Sequence, residues 1–149
     1  QGFVKAHNNL GVMYENGRGI VQDYAEAVKL YRLAAAQGDA LAQYNLGMMY
    51  VKGRGIARDY AEAVKWYRLA AAQGHVNSQF NLGVMYANGH GVGKSYGRAY
   101  LWFSLSAVSS EADAIENRDS VAKRMTPQQI GEAQRMAREC QARKFKGCD

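Results

Sequence analysis

A chain of 149 residues is long enough to bury one substantial core. Its 48% hydrophobic and 21% charged content describes a folded globular protein rather than a disordered one. Sixteen glycines against a single proline do not suit a flexible linker, and no uncharged apolar run approaches the ~18–20 residues of a membrane span, the best being Ala99 to Val108. The net charge of +6 gathers towards the end of the chain, from Arg118 to Lys146. Those charges read as solvated helix faces, because only Phe145 interleaves with them and no base-stacking surface emerges.

The main signal is a period of 36. Residues 3–38 and 39–74 agree at 25 of 36 positions, and 75–110 is a looser third copy. Leu10, Gly11, Met13, Tyr14, Gly17 and Gly19 return as Leu46, Gly47, Met49, Tyr50, Gly53 and Gly55, then as Leu82, Gly83, Met85, Tyr86, Gly89 and Gly91. A fixed period of this size marks an array whose units bury their apolar faces against one another. Gln1-Gly2 aligns with Gln37-Gly38 and Gln73-Gly74, so the register predicts a repeat junction, or the end of a processed leader, at the start.

Within the second copy, Ala42, Leu46, Met49, Tyr50 and Gly53 share one helical face, predicting a helix over 40–52 closed by a left-handed Gly53. Asp59 and Glu62, like Asp23 and Glu26, have the spacing of a capping box that opens a second helix over 60–73. Ala63, Trp66, Tyr67, Ala70 and Ala71 form its predicted inner face. Gly11, Gly47 and Gly83 let the paired helices approach closely. The third copy keeps Ser95 as an N-cap but has Arg98 where the box needs Glu. Beyond it, Ser110 opens a helix to about Met125, and Thr126, Pro127 and Gln129 start another. Ile115, Val121, Met125, Ile130 and Met136 are expected on the inner side of this terminal pair. The expected organisation is one all-α domain over 1–149, an α-solenoid of antiparallel helix pairs with a capping helix pair at 111–149.

Residues 3–110 resemble the Sel-1-like repeat family, 36-residue relatives of the tetratricopeptide repeats. The resemblance rests on Ala-x-x-x-Leu-Gly-x-Met-Tyr-x-x-Gly-x-Gly followed by Asp-Tyr-x-x-Ala-x-x-Trp/Leu-Tyr and Ala-Ala-x-x-Gly. It implies a right-handed, tetratricopeptide-like superhelix that acts as a non-enzymatic adaptor for proteins or peptides, often in a bacterial envelope.

The expected binding surface is the concave wall of the first helices. Asn9, Asn45 and Asn81 recur there, with Met48, Lys52 and Asn88 on the same stripe and Tyr44 and Phe80 beside it. The same asparagines could instead hold the stack together. Catalytic motifs are lacking: His7, His75 and His90 have no partner at ligand spacing, and no phosphate loop, cofactor motif or nucleophile elbow is present. The expected partner is therefore a protein or peptide, with no metal, cofactor, nucleic acid or membrane insertion. The rival readings are self-association through an open N-terminal end and a β-lactamase-like or cell-wall-fragment hydrolase. Cys140 and Cys148 close a small disulfide loop if the tail turns back, or stay as thiols if it does not. The bonded form favours a periplasmic or secreted location.

Overall fold

A computed structural model describes residues 2–109 and 112–148. Its regular elements are all helical: α1 (Gly2–Asn16), α2 (Tyr24–Ala36), α3 (Ala40–Lys52), α4 (Tyr60–Ala71), α5 (Val76–Asn88), α6 (Tyr96–Ser106), α7 (Ala112–Ala122) and α8 (Pro127–Ala142), with one 3₁₀ turn at Ala107–Ser109. The all-α architecture and the helix pairs are those read from the repeat. Helix α3 has the expected limits. Helix α4 ends two residues earlier than the pattern suggested, because the chain already turns over 72–74 into Gly74, whose φ is +83°. Helix α7 also stops early, at Ala122, and Ser110 and Glu111 lie outside the described residues. By compactness the chain divides into residues 1–70 and 71–149.

In the first unit, α1 lies on α2 and α2 on α3. The glycine in the middle of each first helix is what lets an aromatic ring of the second helix sit against the backbone. A methyl group on Gly11 would stand 2.7 Å from Tyr31 Cε1, and one on Gly47 2.6 Å from Tyr67 Cε1. Tyr31 and Tyr67 are fully buried, as are Leu46, Met49, Ala63 and Ala70. Trp66, expected inside, is only half-buried, and Val64 takes a place in the core instead. Leu10 and Met13 are 38% and 40% exposed, whereas Leu46 and Met49, one period later, are at 0%.

The expected capping boxes form by halves. Asp23 Oδ1 accepts from Glu26 N at 3.0 Å, and Asp59 Oδ1 accepts from Glu62 N at 3.0 Å and Ala61 N at 2.9 Å. The glutamates do not close the boxes: Glu26 pairs with Lys29 and Glu62 with Lys65, one turn on. A lysine at i+3 offers a full charge, which the capping amide does not. The complete box is at Thr126, whose Oγ1 accepts from Gln129 N while Thr126 N donates back to Gln129 Oε1.

In the second unit, α6 is the central element, with α5, α7 and α8 each packed on it. This explains the apolar run at Ala99: residues 99–103 are all buried, as a helix covered on several sides requires. Phe103 lies against Gly83, where a methyl group would meet the ring at 2.6 Å. The inner side of the terminal helices differs from the expectation. Val121 is buried, but Ile115 is 38% exposed and Met125, Ile130 and Met136 are half-buried. The buried contacts come from Ala114, Ala133, Ala137 and Cys140. Small side chains at these positions permit close approach of α7 and α8 to α6. Tyr100 fixes the packing by accepting from Gln134 Nε2 at 3.2 Å.

The tail turns back beyond α8, and Cys140 is bonded to Cys148, with Cα atoms 5.3 Å apart. Lys144 and Phe145 take positive φ of 51° and 65° to make the reversal. The Phe145 ring then lies over Gly74, where a Cβ would come within 3.2 Å of it.

Candidate binding surface

The repeated asparagines do not behave alike. Asn9 is exposed, while Asn45 is half-buried and donates through Nδ2 to Asn8 Oδ1 at 3.0 Å, joining the first helices of two adjacent repeats. Asn8 is 3% exposed. Asn45 thus has an architectural contact, and Asn45→Ala strands a buried acceptor. The expected loss is about 1–2 kcal/mol of unfolding free energy in urea, against no measurable loss for Asn9→Ala. Equal values for the two would remove the architectural role. Asn81 is half-buried. Asn88 is exposed and donates to Val84 O at 3.0 Å within its own helix, as Asn16 does to Val12 O at 2.9 Å.

Tyr44 and Phe80 occupy equivalent positions and lean on the buried aromatics of their own pairs. Tyr44 lies 6.1 Å from Tyr67 and Phe80 5.5 Å from Phe103, between ring centroids. Both keep an exposed edge. Met48 is half-buried and Lys52 exposed on the same side of α3.

In the second unit this stripe borders two clefts, because α7 runs beside α5 in the same sense. The first turn of α5 meets Asp113 in a notch of about 110 Å³ lined by Val76, Asn77 and Phe80. Farther along, a cleft of about 280 Å³ is lined by Val84, Asn88 and Phe103 on one side and Asn117, Ser120, Val121 and Arg124 on the other, with Lys94 and Tyr96 at its end. Of the expected surface, Phe80 thereby lines the notch and Asn88 the longer cleft, where it is joined by Val84. α7, whose contribution to a binding wall was not expected, supplies the opposite side.

Sequence reading also missed two periodic contacts. Gln43 Nε2 donates to Ala35 O at 3.2 Å, and Gln79 Nε2 to Ala71 O at 3.4 Å. Both glutamines are buried and recur at the period, which is the signal that could have found them. The second contact is a set of cations over tyrosine rings: Arg54 lies 5.4 Å from the Tyr24 centroid, Arg58 5.6 Å from Tyr60, and Lys94 5.1 Å and Arg124 5.8 Å from Tyr96. Arg124 Nη1 also donates to Tyr96 Oη at 3.2 Å. Hydrogen bonds from Lys94 and then Arg124 hold the Tyr96 phenol below the ordinary tyrosine pKa. Tyr31 is shifted the other way, first by burial and then by donating to Glu15 Oε2 at 2.7 Å.

A spectrophotometric titration should resolve both tyrosines. Tyr96→Phe removes a component that ionises below the usual range, and Tyr31→Phe one that is still protonated in strong alkali. An unfolded phenol loses its proton near pH ~10, whereas folded Tyr31 keeps it. Its stabilising share is therefore complete below that pH and declines as pH rises above it. An unchanged curve for Tyr96→Phe, or loss of a component from the ordinary tyrosine range in Tyr31→Phe, would contradict these assignments.

The histidines are dispersed, and His75 is the N-cap of α5, its Nδ1 accepting from Ser78 N at 3.3 Å. Among the described residues no three His, Cys, Asp or Glu side chains gather to hold a metal, and no helix is long and apolar enough to cross a membrane.

Comparison with known proteins accounts for the architecture. The Sel1 repeat profile matches residues 4–39, 40–75 and 76–107. The crystal structure of a protective antigen of uropathogenic Escherichia coli strains displaying an SLR fold is similar over 97% of this chain, with 32% identity and a TM-score of 0.87. That of a Sel1 repeat protein from Oxalobacter formigenes is similar over 74% of the chain, with 37% identity and a TM-score of 0.71. The chain spans 32% and 45% of their respective lengths. No curated protein matches it. Sel1 repeats are commonly scaffolds for protein interaction and generally non-catalytic. With three copies in register over most of its length, the chain belongs to the Sel1 repeat family.

Proposed function

We propose that this chain is a non-enzymatic scaffold that captures a protein or peptide on the face presented by its first helices. The observation behind this reading is the pair of clefts along α5, where Phe80, Val84 and Asn88 face a polar wall on α7. A few apolar side chains with polar neighbours suit recognition of an extended segment. Photo-cross-linking residues introduced singly at Asn9, Met48 and Asn88 should yield adducts with a bound partner. The same residue at Leu33 or Leu69, which are 52% and 50% exposed on second helices, should not. Adducts from Leu33 and Leu69 alone would move the surface to the second helices and end this reading. The Cys140–Cys148 bond supports an oxidising, extracytoplasmic location, where such a bond persists.

A second reading is self-association through α1, favoured by the exposure of Leu10 and Met13 where Leu46 and Met49 are covered. Sedimentation over a hundredfold concentration range should then show a dimer that Leu10→Lys abolishes. A monomer throughout removes this reading.

A further inference from the structure

Five cations of the described surface meet carboxylates, and Arg54, Arg58 and Arg98 each lie over a tyrosine ring. Lys29 pairs with Glu26, Lys65 with Glu62, Arg118 with Asp119, and Arg135 and Arg143 with Glu139. Lys94 and Arg124 differ from these in converging on one ring, that of Tyr96. Both are exposed, both lie within 5.8 Å of the Tyr96 ring, and both line the larger cleft between α5 and α7. What they share is a neutral phenol, and no residue lining that cleft is acidic. Two like charges converging at the end of a cleft with no acidic lining favour an anion there, while Glu132 lines the adjoining cleft on the other side of Arg124 and Tyr96. Beyond them the cleft continues over Val84, Phe103 and Val121, an apolar floor with amide and hydroxyl edges. The notch beside Phe80 lies farther along α5 and is bordered by Asp113, so the two ends of the groove differ in charge.

We propose that the groove between α5 and α7 is the docking site of an acidic peptide segment, with an Asp or Glu side chain held between Lys94 and Arg124 and an apolar side chain seated beside Phe80. This inference rests on the scaffold reading above and adds the chemistry of the partner. The spacing follows from the helix. From Phe80 to Asn88 is eight residues, about 12 Å at the rise of an α-helix. An extended peptide covers that distance in three or four residues at about 3.3 Å each. The recognised segment therefore has a carboxylate three or four positions from a large apolar residue. A basic residue suits the Asp113 end.

The test uses the full chain and random twelve-residue peptides displayed on phage, selected at physiological salt. Peptides enriched on the native protein should share that spacing. A labelled synthetic copy should lose about tenfold in affinity when its acid is replaced by the matching amide, and the same factor when the protein carries K94Q and R124Q together. Combining both changes should cost little more than either alone, and Lys94→Arg with Arg124→Lys should restore most of the binding. Circular dichroism of the variants must match the native protein, as two exposed positions allow. Enriched peptides without acidic residues, or affinities unmoved by the paired substitution, overturn the acidic assignment and leave the scaffold reading standing. Absence of any enrichment counts against both. A single-stranded oligonucleotide that displaces the peptide and depends equally on Lys94 and Arg124 would make the groove a nucleic-acid contact and overturn the proposal.

Discussion

Gly55→Ala should destabilise the protein by about 3 kcal/mol, while Gly19→Ala, at the same place in the preceding repeat, should cost only about 1 kcal/mol. Both glycines have left-handed backbones, with φ of +67° and +73°. A side chain at either position therefore meets the same local penalty of about 1 kcal/mol. The surroundings separate them. A methyl group on Gly55 would lie 2.2 Å from Tyr24 O and 2.7 Å from Ala25 N, at the start of α2. That neighbour is backbone in the first turn of a helix and has no rotamer to yield. The loop would have to lift away, taking Arg54 off the Tyr24 ring. The nearest atom to a methyl on Gly19 is the mobile Met13 Cε, at 3.9 Å. Urea unfolding of the two variants decides the matter. Equal losses would mean that the second loop does not press on α2 as described.

The second large effect is at the crossing of α3 and α4. Gly47→Ala should cost about 2 kcal/mol, because the added methyl would stand 2.6 Å from Cε1 and 2.8 Å from Cδ1 of a ring that is 0% exposed. Tyr67→Leu should cost a similar amount by leaving a void. The two changes are complementary in shape, since leucine vacates the space that alanine enters. The double variant should therefore be at least about 1 kcal/mol more stable than the sum of the single losses. Strict additivity would show that the ring and the glycine are not the contact that sets the helix spacing. Gly11 with Tyr31, and Gly83 with Phe103, repeat the arrangement and should give cycles of the same sign.

Much of this was legible without coordinates. Leu46, Met49 and Tyr50 fall on one face of a 3.6-residue period, and all three are buried. The glycines at 53 and 89 stand where a helix needs a left-handed closing residue, and both have it. Local periodicity and cap chemistry depend on residues a few positions apart, so a linear reading captures them. The glutamates at 26 and 62 show the limit of the same method. Their spacing fits a capping box, yet each is drawn to a lysine one turn further on.

The repeat itself determined the helix pairs, the glycine closures of α3 and α5, and the glycine-to-aromatic contacts that bring two helices together, because each of these recurs with the period and is satisfied within one hairpin. Tertiary packing alone decided what the period does not contain. Asn45 became a strut to Asn8, α6 became the buried centre of its unit, and α7 became the far wall of the groove that ends at Lys94 and Arg124. Each of these depends on which helix lies beside which across more than a single repeat, and no spacing along the chain encodes that neighbourhood.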